Sequence, residues 1–186
     1  MDTKWRKYFR FRENGCPGRL LQPVLVDTFG EPEATPLDPG ARRFSVDYRK
    51  SPRQMIAEGR YNRTNSELLP SSFSVEGQGV VEFESRYFWF EQKYLSEEAR
   101  GVVEQAERTH PWMPAKLEHT LAYGAKYPDK QKKCPIVGLG SVIEIGGSLY
   151  VSYLTSLGEE RCFYLFPFDG FWSEKCAVLG VRKLIV

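Results

Sequence analysis

Tyr87-Phe88-Trp89-Phe90, followed after a short gap by Ser96-Glu97-Glu98-Ala99-Arg100-Gly101-Val102-Val103-Glu104-Gln105-Ala106, sets the fold class of this chain. Four large residues in a row are too few for a helix and suit a buried strand. In the second stretch Ser96 is placed to cap a helix, and Glu97 and Glu98 lie where the helix dipole favours anions. Ala99, Val102, Val103 and Ala106 fall at i, i+3, i+4 and i+7. That apolar face is narrow and made of small residues, so the helix should lie close against a sheet. Glu97 and Glu98 invite an acid/base reading, but adjacent helical residues point in different directions, and capping accounts for both.

Working outward, a second helix is predicted from near Pro114 through Leu117, Leu121 and Ala122 to about Lys126, where Pro128 obstructs continuation. Four strands are then predicted over residues 136–145, 148–155, 161–168 and 177–184. Gly146-Gly147 and Asp169-Gly170 suit tight turns that need positive φ, so the sheet should be mainly antiparallel. Gly138 and Gly140 inside the first of these strands suggest a bulge or a close backbone approach. Gly138-Leu139-Gly140 lacks the third glycine and the following helix of a dinucleotide loop. Upstream, Val80-Val81-Glu82-Phe83-Glu84 reads as a further strand. The fold class expected is α+β, with two helices packed on mainly antiparallel sheets.

The amino-terminal part reads differently. Residues 1–20 carry Lys4, Arg6, Lys7, Arg10, Arg12 and Arg19 against Asp2 and Glu13, interleaved with Trp5, Tyr8, Phe9 and Phe11. This is the mixture of a single-stranded nucleic-acid surface, and equally that of an amphipathic strand. Prolines and glycines at Gly30, Pro32, Pro36, Pro39, Gly40 and Pro52 interrupt any period over residues 27–52. The division expected is a β-rich extension over residues 1–45 and a main domain over residues 46–186. A short helix is predicted from Ser51, where Ser-Pro supplies an N-cap and a first-turn proline, with Met55 and Ile56 as an apolar patch and Gly59 as its stop. Arg42, Arg43, Arg49, Lys50, Arg53, Arg60 and Arg63 surround it. They read either as solvated charges or, with residues 1–20, as a nucleic-acid site over residues 42–63.

The 186 residues include 12 Phe, 10 Tyr and 4 Trp, enough aromatic area to close a core without long aliphatic helices. A net charge of +2 does not by itself imply a polyanion partner. No run reaches the ~20 apolar residues of a membrane span, and the first residues lack the apolar core of a secretory signal, so a cytoplasmic protein is expected. Cys16, Cys134, Cys162 and Cys176 form no Cys-x-x-Cys pair and read as free thiols, with Cys162 and Cys176 flanking an apparent hairpin where geometry decides. His110 and His119 are the only histidines, the ligand spacings of a zinc site are absent, and no cofactor is expected. If the chain is an enzyme, the best nucleophile and base by residue type are Cys134 and His119.

Several stretches together resemble the C-type-lectin-like module, the fold shared by formylglycine-generating enzymes and variable ligand-binding proteins of retroelements. Ser96-Glu97-Glu98-Ala99 resembles the Ser-Trp-Glu-Glu-Ala opening of the family's first helix, one residue short. Met113-Pro114-Ala115-Lys116-Leu117-Glu118-His119-Thr120-Leu121-Ala122 resembles the Leu-Pro-Thr-x-x-Glu-Trp-x-x-Ala start of the second, and Gly180-Val181-Arg182 the closing Gly-Phe-Arg. The resemblance covers residues 87–183. Lys126-Tyr127-Pro128 followed by Ile136-Val137-Gly138-Leu139-Gly140-Ser141 is also similar to stretches of uncharacterised prokaryotic proteins. The chain departs from the family in its cysteines. The first helix has none, and no closely spaced late pair resembles the copper-binding pair of the oxygen-dependent enzymes. No Glu-Pro-Asn or Gln-Pro-Asp string resembles the calcium-dependent sugar motif.

The resemblance implies a ligand face built from the late strands and their loops. Residues of that region with interface chemistry are Tyr153, Arg161, Tyr164, Asp169, Phe171, Trp172 and Glu174. Tyr, Trp and Arg supply large rigid contact area with a polar handle. Asp169 and Glu174 would rim an aromatic anchor, whereas Trp172 serves equally well as core and Asp169 as a turn residue. The function expected is non-catalytic binding of a protein or small ligand.

Overall fold

The structure, a computed structural model, describes residues 41–184. In chain order its elements are β1 (Arg42–Asp47), α1 (Pro52–Gly59), β2 (Arg63–Thr64), β3 (Val80–Phe88), β4 (Tyr94–Leu95), α2 (Ser96–Gln105), β5 (Met113–Pro114) and α3 (Leu117–Lys126). α4 (Lys130–Lys133), β6 (Ile136–Ile145), β7 (Ser148–Leu157), β8 (Glu160–Pro167), β9 (Phe171–Trp172) and β10 (Ala177–Lys183) follow. One sheet runs in the order β1-β3-β10-β6-β7-β8-β2, with β5 also pairing β10, and β4 and β9 form a separate ribbon. The pairing is antiparallel except where β10 meets β6 and β2 meets β8. The architecture is therefore α+β, with four helices on a mostly antiparallel sheet.

Strand alternation sends side chains to two cores, one on each side of this sheet. Phe44, Phe83, Ile136, Leu154, Phe163 and Leu179 pack with Met55 and Ile56 of α1 and Leu117, Leu121 and Tyr123 of α3. On the other side Phe88, Val137, Val151 and Val178 pack with Ala99 and Val103 of α2 and with Trp112 and Trp172. The small face of α2 does allow the close approach expected of it: a Cβ on Gly180 would lie 3.2 Å from Val103 and 3.0 Å from a Phe88 ring carbon. Gly146 and Gly147 both have positive φ and turn β6 into β7. The ladder between those strands shifts register between Gly138 and Ile143, and Gly140 abuts the Pro114 and Ala115 carbonyls. α1 begins as expected, its Ser51 hydroxyl accepting from the Gln54 N–H while the Gln54 side chain accepts from the Ser51 N–H.

Other expectations need correction. β3 is one continuous strand through Phe88, because β10 pairs along it from Val178↔Phe88 to Lys183↔Phe83. α3 starts at Leu117, three residues late, because Met113 and Pro114 are paired with Val181 and Gly180. The N-cap of α2 is Leu95, whose N–H donates to Glu98 (2.9 Å), so Ser96 is the first helical residue and its hydroxyl is used elsewhere. Asp169-Gly170 is not a hairpin turn, since Gly170 lacks positive φ and β9 leaves β8 to pair with β4. The lysine-rich loop contains α4. The division after residue 45 falls inside β1, which pairs with β3 from Arg42↔Ser85 to Asp47↔Val80. The expected strand and nucleic-acid surface of residues 1–20, and Cys16, lie outside the described residues. Cys134, Cys162 and Cys176 are free thiols.

Candidate functional site

Trp172 is 2% exposed and forms the floor of an aromatic cluster. Its Nε1–H donates to Ser96 Oγ (2.8 Å), and that hydroxyl donates to the Phe168 carbonyl. One serine thus ties α2 to both ends of the loop joining β8 to β9. The ring centroid of Trp172 lies 6.2 Å from Tyr153 and 5.8 Å from Phe166, and Tyr153 lies 5.0 Å from Phe166. The register explains the meeting: Tyr153 opposes Tyr164 and Val151 opposes Phe166, so Tyr153, Tyr164 and Phe166 share one face of the β7–β8 hairpin.

The cluster opens outward. Phe171 is 63% exposed and Phe166 40%, and Leu95, exposed as well, sits opposite Phe171 in the β4–β9 ribbon. The Lys93 ammonium stands 5.9 Å from the Phe171 ring centroid. Burial, with Cys176 beside it, pushes the Tyr153 hydroxyl up to about 12, so it stays protonated near neutral pH and works as a hydrogen-bonding handle. Tyr164 is half-buried, with its hydroxyl raised chiefly by its interaction with Cys162.

Of the residues picked from sequence, Tyr153 and Trp172 pack together, Tyr164 opposes Tyr153 across the β7–β8 hairpin, Phe171 precedes Trp172 in β9, and Asp169 and Glu174 are exposed on either side of β9. Arg161 does not join them. It shares a face with Phe163 and Leu165, on the opposite side of the sheet from Tyr164 and Phe166. There Nη1 donates to the Gly59 carbonyl (2.6 Å), and Nη2 to the Gly124 carbonyl (2.7 Å) and Gln131 Oε1 (3.2 Å). Its guanidinium also stacks 4.9 Å from the Tyr61 ring centroid. Phe166, Leu95 and Lys93 were missed. Phe166 was legible as the next outward residue after Tyr164, but Leu95 and Lys93 depend on a ribbon pairing that nothing local announces.

Cys134 and His119 are not joined as nucleophile and base. The Lys116 N–H donates to His119 Nδ1 (3.0 Å), which puts the imidazole proton on Nε2, facing the Tyr48 hydroxyl at 3.1 Å. His119 therefore closes the first turn of α3 as Gln54 does in α1. Burial, reinforced by Lys116, depresses its pKa to about 3, leaving it neutral at working pH. Beside it the buried Glu118 carboxyl is raised by burial, and its Oε1 has no hydrogen-bond partner among the described residues. Among the described residues no group of three His, Cys, Asp or Glu side chains is placed to hold a metal ion, and no helix is long and apolar enough to cross a membrane. Comparison with family models, with curated proteins and with solved structures gives no match.

Proposed function

We propose that the protein is a cytoplasmic, cofactor-free binding module that recognises a protein partner through the face formed by Tyr153, Tyr164, Phe166, Phe171 and Leu95. The observation that carries the reading is the exposed Phe166 ring, packed 5.8 Å from a buried Trp172 whose indole is fixed by Ser96, together with the exposed Phe171 that precedes Trp172 in β9. Rings anchored in this way give contact area at little cost in side-chain entropy. Tyr153, Asp169, Glu174 and Lys93 supply a polar rim. The element order from β3 through α2 and α3 to β6, β7, β8 and β10 also supports a C-type-lectin-like architecture, in which the late strands and loops carry the ligand.

The test is affinity capture from native extract with the parent protein and with Phe166→Ser/Phe171→Ser, both sites being exposed enough to leave the fold intact. A partner held by the parent in high salt and absent from the stability-matched variant supports the reading. Identical capture by both proteins, or no capture by either, refutes it.

A further inference from the structure

The loop between β8 and β9 runs Phe168-Asp169-Gly170, and its place in the fold opens its own backbone to reaction. The chain is tied on both sides of Asp169-Gly170. Phe168 donates its N–H to the Leu149 carbonyl (2.8 Å), its own carbonyl accepts from the Ser96 hydroxyl, and Phe171 and Trp172 pair with Leu95 and Tyr94. The two residues between these ties belong to no helix or strand. Asp169 is exposed, and its carboxyl group has no hydrogen bond or ion pair among the described residues. Nor does the Gly170 N–H donate to any backbone carbonyl among them.

An aspartate carboxyl lies one methylene from the backbone, close enough to reach the nitrogen of the next residue and close a ring. A helix or sheet ladder prevents this by engaging that N–H, and a side chain on the next residue crowds the approach. Gly170 has neither protection, since it carries no Cβ and lies outside any ladder.

We propose that Asp169 is a modification site, isomerising without an enzyme to isoaspartate through a succinimide closed by the Gly170 nitrogen. That nitrogen loses its proton and bonds to Asp169 Cγ, while the carboxyl oxygen leaves as water. Water then opens the ring. Attack at Cγ restores Asp169, whereas attack at the main-chain carbonyl carbon breaks its bond to the Gly170 nitrogen and leaves the chain running through Cβ and Cγ. The water lost on closure is regained on opening, so mass is unchanged and no oxidant or cofactor enters. The product lengthens the main chain by one methylene between two fixed flanks. The strain falls on the β4–β9 ribbon and on the Trp172–Ser96 hydrogen bond (2.8 Å). Any consequence for binding rests on the reading of the aromatic face; the modification itself does not.

The experiment incubates the full chain folded at neutral pH, beside the same chain unfolded in urea and beside folded Asp169→Glu, whose ring would need a further atom. The tryptic peptide 162–175 is then resolved by chromatography with electron-transfer fragmentation, which separates isoaspartate from aspartate at equal mass. Reading this peptide alone keeps Asn14-Gly15, open to the same chemistry, out of the count. The expected result is isoaspartate at position 169 accumulating in the folded parent at a rate comparable with the unfolded chain, and loss of the isomer in Asp169→Glu. Accumulation in urea without accumulation in the folded parent overturns the proposal, because the loop would then hold carboxyl and amide apart. Absence of the isomer from both also overturns it.

Discussion

Replacing Arg161 by leucine should unfold the protein far more readily than it affects any partner. The guanidinium donates to the carbonyl of Gly59, the last residue of α1, and to that of Gly124 in the last turn of α3, so one cation serves two helix C-termini. A hydrogen bond to a charged group contributes ~1.5–3 kcal/mol, and the contact with Tyr61 adds ~0.5–2 kcal/mol. Leucine keeps some stem packing and lets water reach the carbonyls, so the lower ends of these ranges apply and the expected loss is about 4 kcal/mol. Arg161→Lys should lose about 2 kcal/mol, because a single ammonium cannot span both carbonyls. Urea denaturation with an unchanged m-value is the assay; with m of ~2 kcal/mol/M the leucine variant should shift its midpoint by about 2 M. A loss under ~1 kcal/mol would refute the two-helix argument. Loss of partner capture at undiminished stability would return Arg161 to the binding site, where the sequence had placed it.

Trp172→Phe removes the indole donor to Ser96 Oγ and should cost ~1–2 kcal/mol in denaturant melts, whereas Trp172→Ala should cost ~3–5 kcal/mol as a buried cavity. Gly138→Ala should cost about 3 kcal/mol, because the added Cβ would strike Thr120 Oγ1 and come within 2.6 Å of Ser152 Oγ, spreading the buried hydrogen bond between those hydroxyls. His119 also makes a pH prediction. Its folded pKa of about 3 lies below the unfolded 6.5, so between those values the unfolded chain binds the extra proton and stability falls as pH falls. His119→Gln keeps an acceptor for the Lys116 N–H and loses the titration. Relative to it, the parent should lose ~2–3 kcal/mol between pH 6.5 and 4.5, with the opposing effect of Glu118 common to both proteins; parallel curves would refute the burial argument.

Local patterns announced the local structure. The spacing of Ala99, Val102 and Val103, the Ser51 cap and the Gly146-Gly147 turn all depend on neighbours within a few residues, and each is where the sequence put it. What the sequence concealed was set by distant partners. Ser96 looks the same whether its hydroxyl caps a helix or, as here, meets Phe168 and Trp172, 72 and 76 residues away. Asp169-Gly170 carries turn chemistry, yet the chain there peels off to pair with Tyr94 and Leu95. The aromatic site was half legible. Residue type picks out Tyr153, Phe171 and Trp172, and the period of two along β8 separates Arg161 from Tyr164 and joins Phe166 to it.

Amide exchange of the protein alone and saturated with its captured partner tests the central claim most directly, because it maps the contact without altering a side chain. The account predicts new protection over Tyr94–Leu95, the outer end of β8 and Phe171–Trp172, with α1 and α3 unchanged. Protection over α1 and α3, with the aromatic face exchanging as before, would contradict it.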